Sequence, residues 1–308
     1  MSIRLAPLPR ALALVALLLL GACTGRDSDS ELLAIRTAED TRDASNPRLA
    51  DDLQHGTKPV RAAAARALGR IGDPGAVEPL TRALEREDAP EVRREIAFAV
   101  GILGETEAVP ALLAALDREE DATTSAELAI ALGRLGDPGA LDALHRLLRS
   151  SWGVIRERAI EALALIADPA SVPGLIEAMN DPDPGVAWRA AYALEKIEGT
   201  AQVPALIEAC GSSDEMLRRA AVRSLGRLGA KECIATIVAA YDENPGDWQL
   251  RCRVADALGR IGEEDAQALR VVDAMLRAPN FHVRVAALQA VVSGQSAQHV
   301  VACVAVQP

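Results

Sequence analysis

Side chains able to move protons, attack carbonyls or hold metals are scarce in this chain of 308 residues, which has four histidines and five cysteines. His55, His145, His282 and His299 are followed by Gly, Arg, Val and Val, and no cysteine pair stands at zinc-ligand spacing. His145 falls in a helical column held elsewhere by Thr81, Leu113, Ile176 and Ile207, so it reads as a half-buried packing residue. His55 and His282 fall between helices without a partner nearby in sequence. There is no G-x-S-x-G elbow, and the recurring Gly-x-x-Gly is no phosphate loop. Apart from Cys23, the cysteines are Cys210, Cys233, Cys252 and Cys303. An even number permits disulfides in an exported protein. Cys210 shares the core column of Leu84, Leu116, Leu148 and Met179 and reads as a small hydrophobe, whereas Cys252 follows Arg251 in a polar column and is the candidate reactive thiol. The expectation is a protein without catalytic residues, cofactor or metal.

The remaining chemistry is non-covalent. Only 2% of residues are aromatic, yet Trp188 and Tyr192 stand four apart, one helical turn, in columns that arginine holds in other copies of a repeat. The same columns carry Arg94, Phe98, Arg134, Lys196, Arg219, Arg223, Arg227 and Arg260. Aromatics flanked by arginine have the composition of interaction hot spots. These ten residues are the candidate surface for a protein or peptide partner, read as an acidic or extended segment.

That surface must be positioned by a repeat. Glycine pairs stand at Gly69/Gly72, Gly101/Gly104, Gly133/Gly136, Gly226/Gly229 and Gly259/Gly262, with degenerate copies ending near Asp168 and Gly199. The closing positions 72, 104, 136, 167, 198, 229 and 262 recur at a period near 31, the signature of a stacked array. Each unit parses into two helices. Between Pro74 and Glu105, Val77, Leu80 and Leu84 form one apolar stripe, "REDAP" breaks the chain, and Val92, Ile96, Ala99, Val100 and Leu103 form the next. Gly104 then ends the second helix, where a left-handed residue favours glycine. Alanines and Gly69-type positions allow close approach between neighbouring units. No segment alternates with period two, so the chain is expected to be all-α, with about eight units over residues 46–292.

Eight residues before the first glycine of each pair stand Arg61, Arg93, Ser125, Arg156, Ala187, Arg218, Arg251 and Arg284. Six of eight are arginine, and Asp88, Asp214 and Asp247 precede three of them in the inter-helix turns. A guanidinium fork reaching the turn carbonyls or carboxylates of its own and the next unit would form a structural ladder.

The pattern D-x(3–4)-[VL]-R-x-x-A-x-x-A-L-G-x-[IL]-G followed by D-P-x-A-V-x-P-L resembles bacterial HEAT repeats, the short kind also called HEAT-like repeats of the phycobilisome lyase type. The resemblance covers about four fifths of the chain. It implies an α-solenoid curved into a right-handed superhelix, second helices lining the concave side, and a binding role without a fixed ligand. HEAT-like hydroxylases carry His-Glu pairs that hold iron, and this sequence lacks them. Bilin lyases share the repeat, but an exported protein is in the wrong compartment for that activity. Some exported peptidyl-prolyl isomerases begin similarly, with a helix like "ELLAIRTAEDTR" before the repeats, so the chain also reads as the non-catalytic part of such a lipoprotein without its cyclophilin domain.

Residues 1–22 read as a lipoprotein signal peptide. Arg4 and Arg10 precede the apolar run "ALALVALLLL", which is shorter than the roughly 20 residues a membrane-spanning helix needs. Leu20-Gly21-Ala22-Cys23 resembles the bacterial lipobox, which makes Cys23 the lipidation site and membrane anchor. Residues 23–30 then form a polar tether, residues 31–45 a capping helix with Ser30 as its N-cap, and residues 293–308 an apolar tail that leaves self-association through that end open. Thr24 favours the outer membrane where a cell has two. Without the signal peptide the chain carries 31 basic against 44 acidic residues, a net charge of −13, so nucleic acid is not an expected partner. The whole reads as a non-catalytic, lipid-anchored interaction scaffold of the cell envelope.

Overall fold

The structure, a computed structural model, describes residues 28–43 and 46–293. The signal peptide, Cys23, Cys303, His299 and nearly all of the apolar tail lie outside the described residues. Among those described there are seventeen α-helices and no strand. Helix α1 (Ser28–Thr41) precedes eight helix pairs: α2 (Pro47–His55) with α3 (Lys58–Ile71), α4 (Val77–Arg86) with α5 (Pro90–Leu103), α6 (Val109–Asp117) with α7 (Ala122–Leu135), and α8 (Leu141–Leu147) with α9 (Gly153–Ile166). The series continues with α10 (Val172–Ala178) and α11 (Pro184–Leu194), α12 (Val203–Ala209) and α13 (Glu215–Leu228), α14 (Ile234–Glu243) and α15 (Trp248–Ile261), and α16 (Ala266–Leu276) and α17 (Phe281–Ser293). The chain is an all-α helical-repeat solenoid. Ser30 lies inside α1 rather than capping it, because the helix is already formed at Ser28 and ends at Thr41. None of the described helices is long and apolar enough to cross a membrane.

Two compact units divide the chain, one with α1–α5 and one with α6–α17. In the first, α3 packs on α5 and on α1; in the second, α7, α9, α11, α13, α15 and α17 pack successively, each also against its own first helix. Leu80, Leu84, Leu112, Leu144 and Leu175 of the first helices and Ile96, Leu128, Leu132, Ile160 and Leu163 of the second are fully buried. Each such side chain contributes about 1.5–3 kcal/mol of apolar burial.

The two glycines of each pair do different work. In four of the five pairs the second closes the helix in the left-handed region, with φ of 80°, 77°, 70° and 71° at Gly72, Gly104, Gly136 and Gly229, whereas Gly262 ends α15 at φ −108°. The first has ordinary helical geometry but touches the next second helix: a Cβ added to Gly69, Gly133, Gly226 or Gly259 would lie 2.5–2.7 Å from the Cα of Ala99, Ala162, Ala257 or Ala290. Such contact is available only where both helices carry the smallest side chains. The degenerate copies depart from this. Ala167 takes the left-handed conformation without glycine, at φ 56°. In the next copy Glu195 replaces the contacting glycine, α11 stops at Leu194, and Gly199 turns the chain at φ 118°.

Short 3-10 turns join most second helices to the following first helix. In the D-P-x-A signature, the carboxylates of Asp73, Asp137 and Asp168 accept the N–H of Gly75, Gly139 and Ala170 at 3.0, 2.7 and 2.8 Å. Proline occupies the first turn position, where an N–H would have no partner. After α11 this turn is absent; the buried Gln202 side chain instead donates to the carbonyls of Ile197 and Leu194 at 2.9 and 3.3 Å, capping the shortened helix.

Candidate binding groove

The arginine column forms links within the turns and, at Arg61, Arg156 and Arg218, to the next repeat, and its partners differ in part from those the sequence suggests. Arg61 donates to both carboxylate oxygens of Glu87, in the next turn, at 2.7 Å, and to the Gly56 carbonyl of its own turn at 3.1 Å. Arg156 likewise grips Asp181 at 2.7 and 2.8 Å and the Ser150 carbonyl at 2.9 Å. Arg218 reaches the Ser212 carbonyl at 2.7 Å and Asp247 at 3.5 Å. Arg93 and Arg284 hold carbonyls of their own turns, Asp88 and Glu87 for one, Ala278 and Pro279 for the other. Among the described residues Arg251 reaches no carboxylate: its guanidinium lies 4.4 Å over the Tyr241 ring, and its Nε is buried without a partner there. Glu87 and Asp181 thus take the role expected of Asp88, while the Asp214 carboxylate caps α13 through the Leu217 N–H at 2.8 Å. Burial pushes the Glu87 and Asp181 carboxyls up, but their hydrogen bonds and the facing arginine charges outweigh it and hold both below the usual range.

Trp188 and Tyr192 open onto a groove of about 390 Å³ formed by α11, α13 and α15. Met216, Arg219, Ala220 and Arg223 line it from α13, and Trp248, Gln249, Cys252 and Arg253 from α15. Trp248 and Met216 are 42% and 47% exposed, large apolar groups left in water. Fixed arginines surround the rings. Arg223 donates to both Glu195 oxygens at 3.1 and 3.2 Å and lies 4.8 Å over the Tyr192 ring, with Lys196 5.4 Å from the same ring. The Glu195 side chain is 2% exposed, so the pair is shielded from solvent. Arg189 covers Trp188 at 4.6 Å while bonded to Glu157 at 3.2 Å. Arg219 donates to both oxygens of Asp247 at 3.0 Å and to Glu215 at 2.7 Å. Burial pushes the Asp247 carboxyl up, yet the Arg219 bond, the Leu250 N–H and the charges of Arg218 and Arg219 hold it below the usual range. His282 stacks on Trp248 with centroids 5.2 Å apart and so supports the groove wall.

The sequence model of HEAT repeats matches residues 16–101, 46–131, 83–164, 153–224 and 203–292, an overlapping series over most of the chain. This protein belongs to the HEAT-repeat family. Its repeats make it a repeat-based interaction scaffold by construction. Among curated proteins no sequence match is found. Among solved structures, Escherichia coli YibA is 17% identical with a TM-score of 0.57, covering 87% of this chain and 98% of that one. An engineered protein is 24% identical with a TM-score of 0.50, covering 80% and 77%. The complex of CpcE and CpcF of phycocyanin lyase from Nostoc is 25% identical with a TM-score of 0.45, covering 73% and 91%. The first two are similar in fold.

Within the HEAT stack, the ten surface residues read from the sequence do not form one site. Trp188, Tyr192, Arg219 and Arg223 meet in the groove; Lys196 flanks it from the turn after α11, and Arg227 lies one turn beyond Arg223. Arg134 pairs with Glu127 at 3.5 Å on α7, Arg260 pairs with Asp256 at 3.2 Å on α15, and Arg94 and Phe98 belong to the first unit. Several second-helix arginines are neutralised by acids: Arg66 forks onto Glu95, Arg70 pairs with Glu39, and Arg219 and Arg223 hold acids of neighbouring repeats. Met216 and Trp248 escape a reading by helical columns because both stand in first helical turns. The available signal was a large apolar residue directly after a capping acid and turn, as in Asp247-Trp248.

Cys210 and Cys233 are buried, and burial pushes their thiols up to about 12 and about 11. Cys252 is partly exposed in the groove, and burial raises its thiol despite nearby Arg253. His55 ends α2 with Asp51 at 3.9 Å rather than lacking a partner. His145 borders a second hollow, of about 590 Å³, between α8 and α10, where Arg146–Asp117 and Arg149–Glu177 pairs at 2.9 and 3.6 Å satisfy the charges. Among the described residues no group of three or more His, Cys, Asp or Glu is placed to hold a metal ion.

Proposed function

We propose that this HEAT-repeat protein is a non-catalytic scaffold of the cell envelope that receives a segment of a partner protein in the α11–α13–α15 groove. The observation that carries this reading is that three of the chain's seven aromatic residues, Trp188, Tyr192 and Trp248, line one groove together with Met216 and are at least partly exposed there. Contiguous apolar groups rimmed by ordered polar ones mark interaction sites. The chain is exported and held to the membrane through a lipid on Cys23, on the outer membrane where there are two. Only five Cα–Cα steps separate that cysteine from Ser28 of α1, at most about 18 Å of chain. Self-association is not required by this reading.

Pull-down from envelope extract tests the site. The full chain should recover a partner that the Trp188→Ala/Tyr192→Ala variant loses; equal recovery by both would end the groove reading. A Cys23→Ala variant should leave the membrane fraction and stop incorporating labelled fatty acid. Its retention would end the anchor reading.

A further inference from the structure

The groove's charges and ring faces specify the chemistry of its occupant more narrowly, and this inference rests on the scaffold reading above. Two of its cations are committed: Arg219 to Asp247 and Glu215, Arg223 to Glu195. Arg253 on the groove wall and Arg227 on the continuation of the same α13 face are exposed, and neither has a hydrogen bond or ion pair among the described residues. These arginines leave the site with positive charge to spare on a protein that is acidic as a whole. Ring geometry adds a second constraint. Arg189 lies over Trp188, and Arg223 and Lys196 lie over Tyr192, so cations already occupy ring faces that a sugar would need for stacking. Trp248 is likewise stacked on His282. Each ring therefore has a face already in contact with the protein, which leaves less stacking surface for a sugar, while an aromatic edge carries the positive part of the quadrupole and attracts carboxylates. Edges and free guanidinium groups together favour carboxylates, and the face of an incoming aromatic ring, over carbohydrate.

We infer that the groove binds an acidic peptide segment carrying an aromatic or long apolar anchor, the anchor set against Trp188 and Trp248 and its carboxylates directed to Arg253 and Arg227. A displayed random-peptide library selected on the full-length protein is the probe, followed by fluorescence polarisation of one labelled winner. Selected peptides should be rich in Asp or Glu beside Phe, Tyr, Trp or Leu. Arg253→Glu should weaken the winner by about tenfold, and Trp248→Ala by about thirtyfold or more. Arg253 is exposed and unpaired, so its variant keeps the fold and reports on binding alone. Winners that are neutral or basic yet compete at Trp248 would overturn the acidic-segment inference while leaving the scaffold reading standing. Binding of N-acetylglucosamine oligosaccharide, displaced by Trp248→Ala, would overturn it in favour of a glycan site. No selected peptide together with no pull-down partner would overturn both.

Discussion

The difference between the two glycines of each pair can be measured at Gly133 and Gly136. An alanine Cβ at position 133 would lie 2.5 Å from the Cα of Ala162, 2.7 Å from its Cβ and 3.0 Å from its carbonyl oxygen. Carbon atoms pack at about 3.5–4.0 Å, so α7 and α9 would have to part locally by about 1 Å. Two of the three contacted atoms are backbone, which no rotamer change can move aside. Leu128, Leu132, Ile160 and Leu163 ride on the same two helices and are fully buried, and a gap of about 0.5–1 Å forfeits roughly a quarter to a half of each contact. Overpacking of this kind costs about 1–3 kcal/mol, and the better helix preference of alanine returns about 1 kcal/mol. The net expectation, at the rigid end of that range, is a loss of about 2 kcal/mol. At Gly136 no atom stands within 4 Å of the added carbon, and only the left-handed backbone, at φ 70°, resists substitution, for about 1 kcal/mol. Urea unfolding followed by far-ultraviolet circular dichroism on the two alanine variants separates the mechanisms. Adding Ala162→Gly should rescue Gly133→Ala in part, because it removes the 2.7 Å contact and leaves the one at 2.5 Å. A Gly133→Ala variant more stable than the parent, as helix preference alone requires, would refute the close-approach reasoning.

Ala167 presents the opposite case: Ala167→Gly relieves a left-handed alanine and should raise the urea midpoint by an amount equivalent to about 0.5–1 kcal/mol. The carboxyls of Glu87, Asp181 and Asp247 titrate lower in the folded chain than the value near 4 expected when unfolded. Their contribution is therefore full above that value and lost as pH falls through it toward the folded values, so the urea midpoint should drop between pH 7 and pH 3, and by less in Arg156→Met, which has already lost the Asp181 link. Iodoacetamide at pH 8 with peptide mapping should modify Cys252 in the native protein and reach Cys210 and Cys233 only in urea; rapid native labelling of Cys210 would contradict its burial.

The repeat was legible because it is written in backbone requirements. Gly72, Gly104, Gly136 and Gly229 mark left-handed positions, Asp73-Pro74 and Asp137-Pro138 mark capped turns, and apolar spacing marks the faces between them. The arginine column was legible as a row of links, but not the choice of Glu87 and Asp181 over Asp88 and Asp214, since that depends on which turn atom the fork reaches in space. The groove was half legible. Trp188 and Tyr192 broke a column rule and so announced themselves, whereas Met216 and Trp248 sit in first turns, where the helical period does not assign a face. Neutralisation of the arginines was not legible, because Glu95, Glu195 and Asp247 come from other positions in neighbouring repeats or turns.

The joint at Glu195 bears on how such a chain can change over generations. Restoring glycine there would return the fifth repeat to the common pattern. It would also strand the Arg223 guanidinium, which lies over the Tyr192 ring and has both Glu195 oxygens as partners. Glu195 and Arg223 thus depend on one another, so restoring the common residue at this one position lowers stability unless its arginine partner changes with it. The copy that differs most from its siblings is in this way held to its own residues by a buried ion pair that the common pattern does not contain.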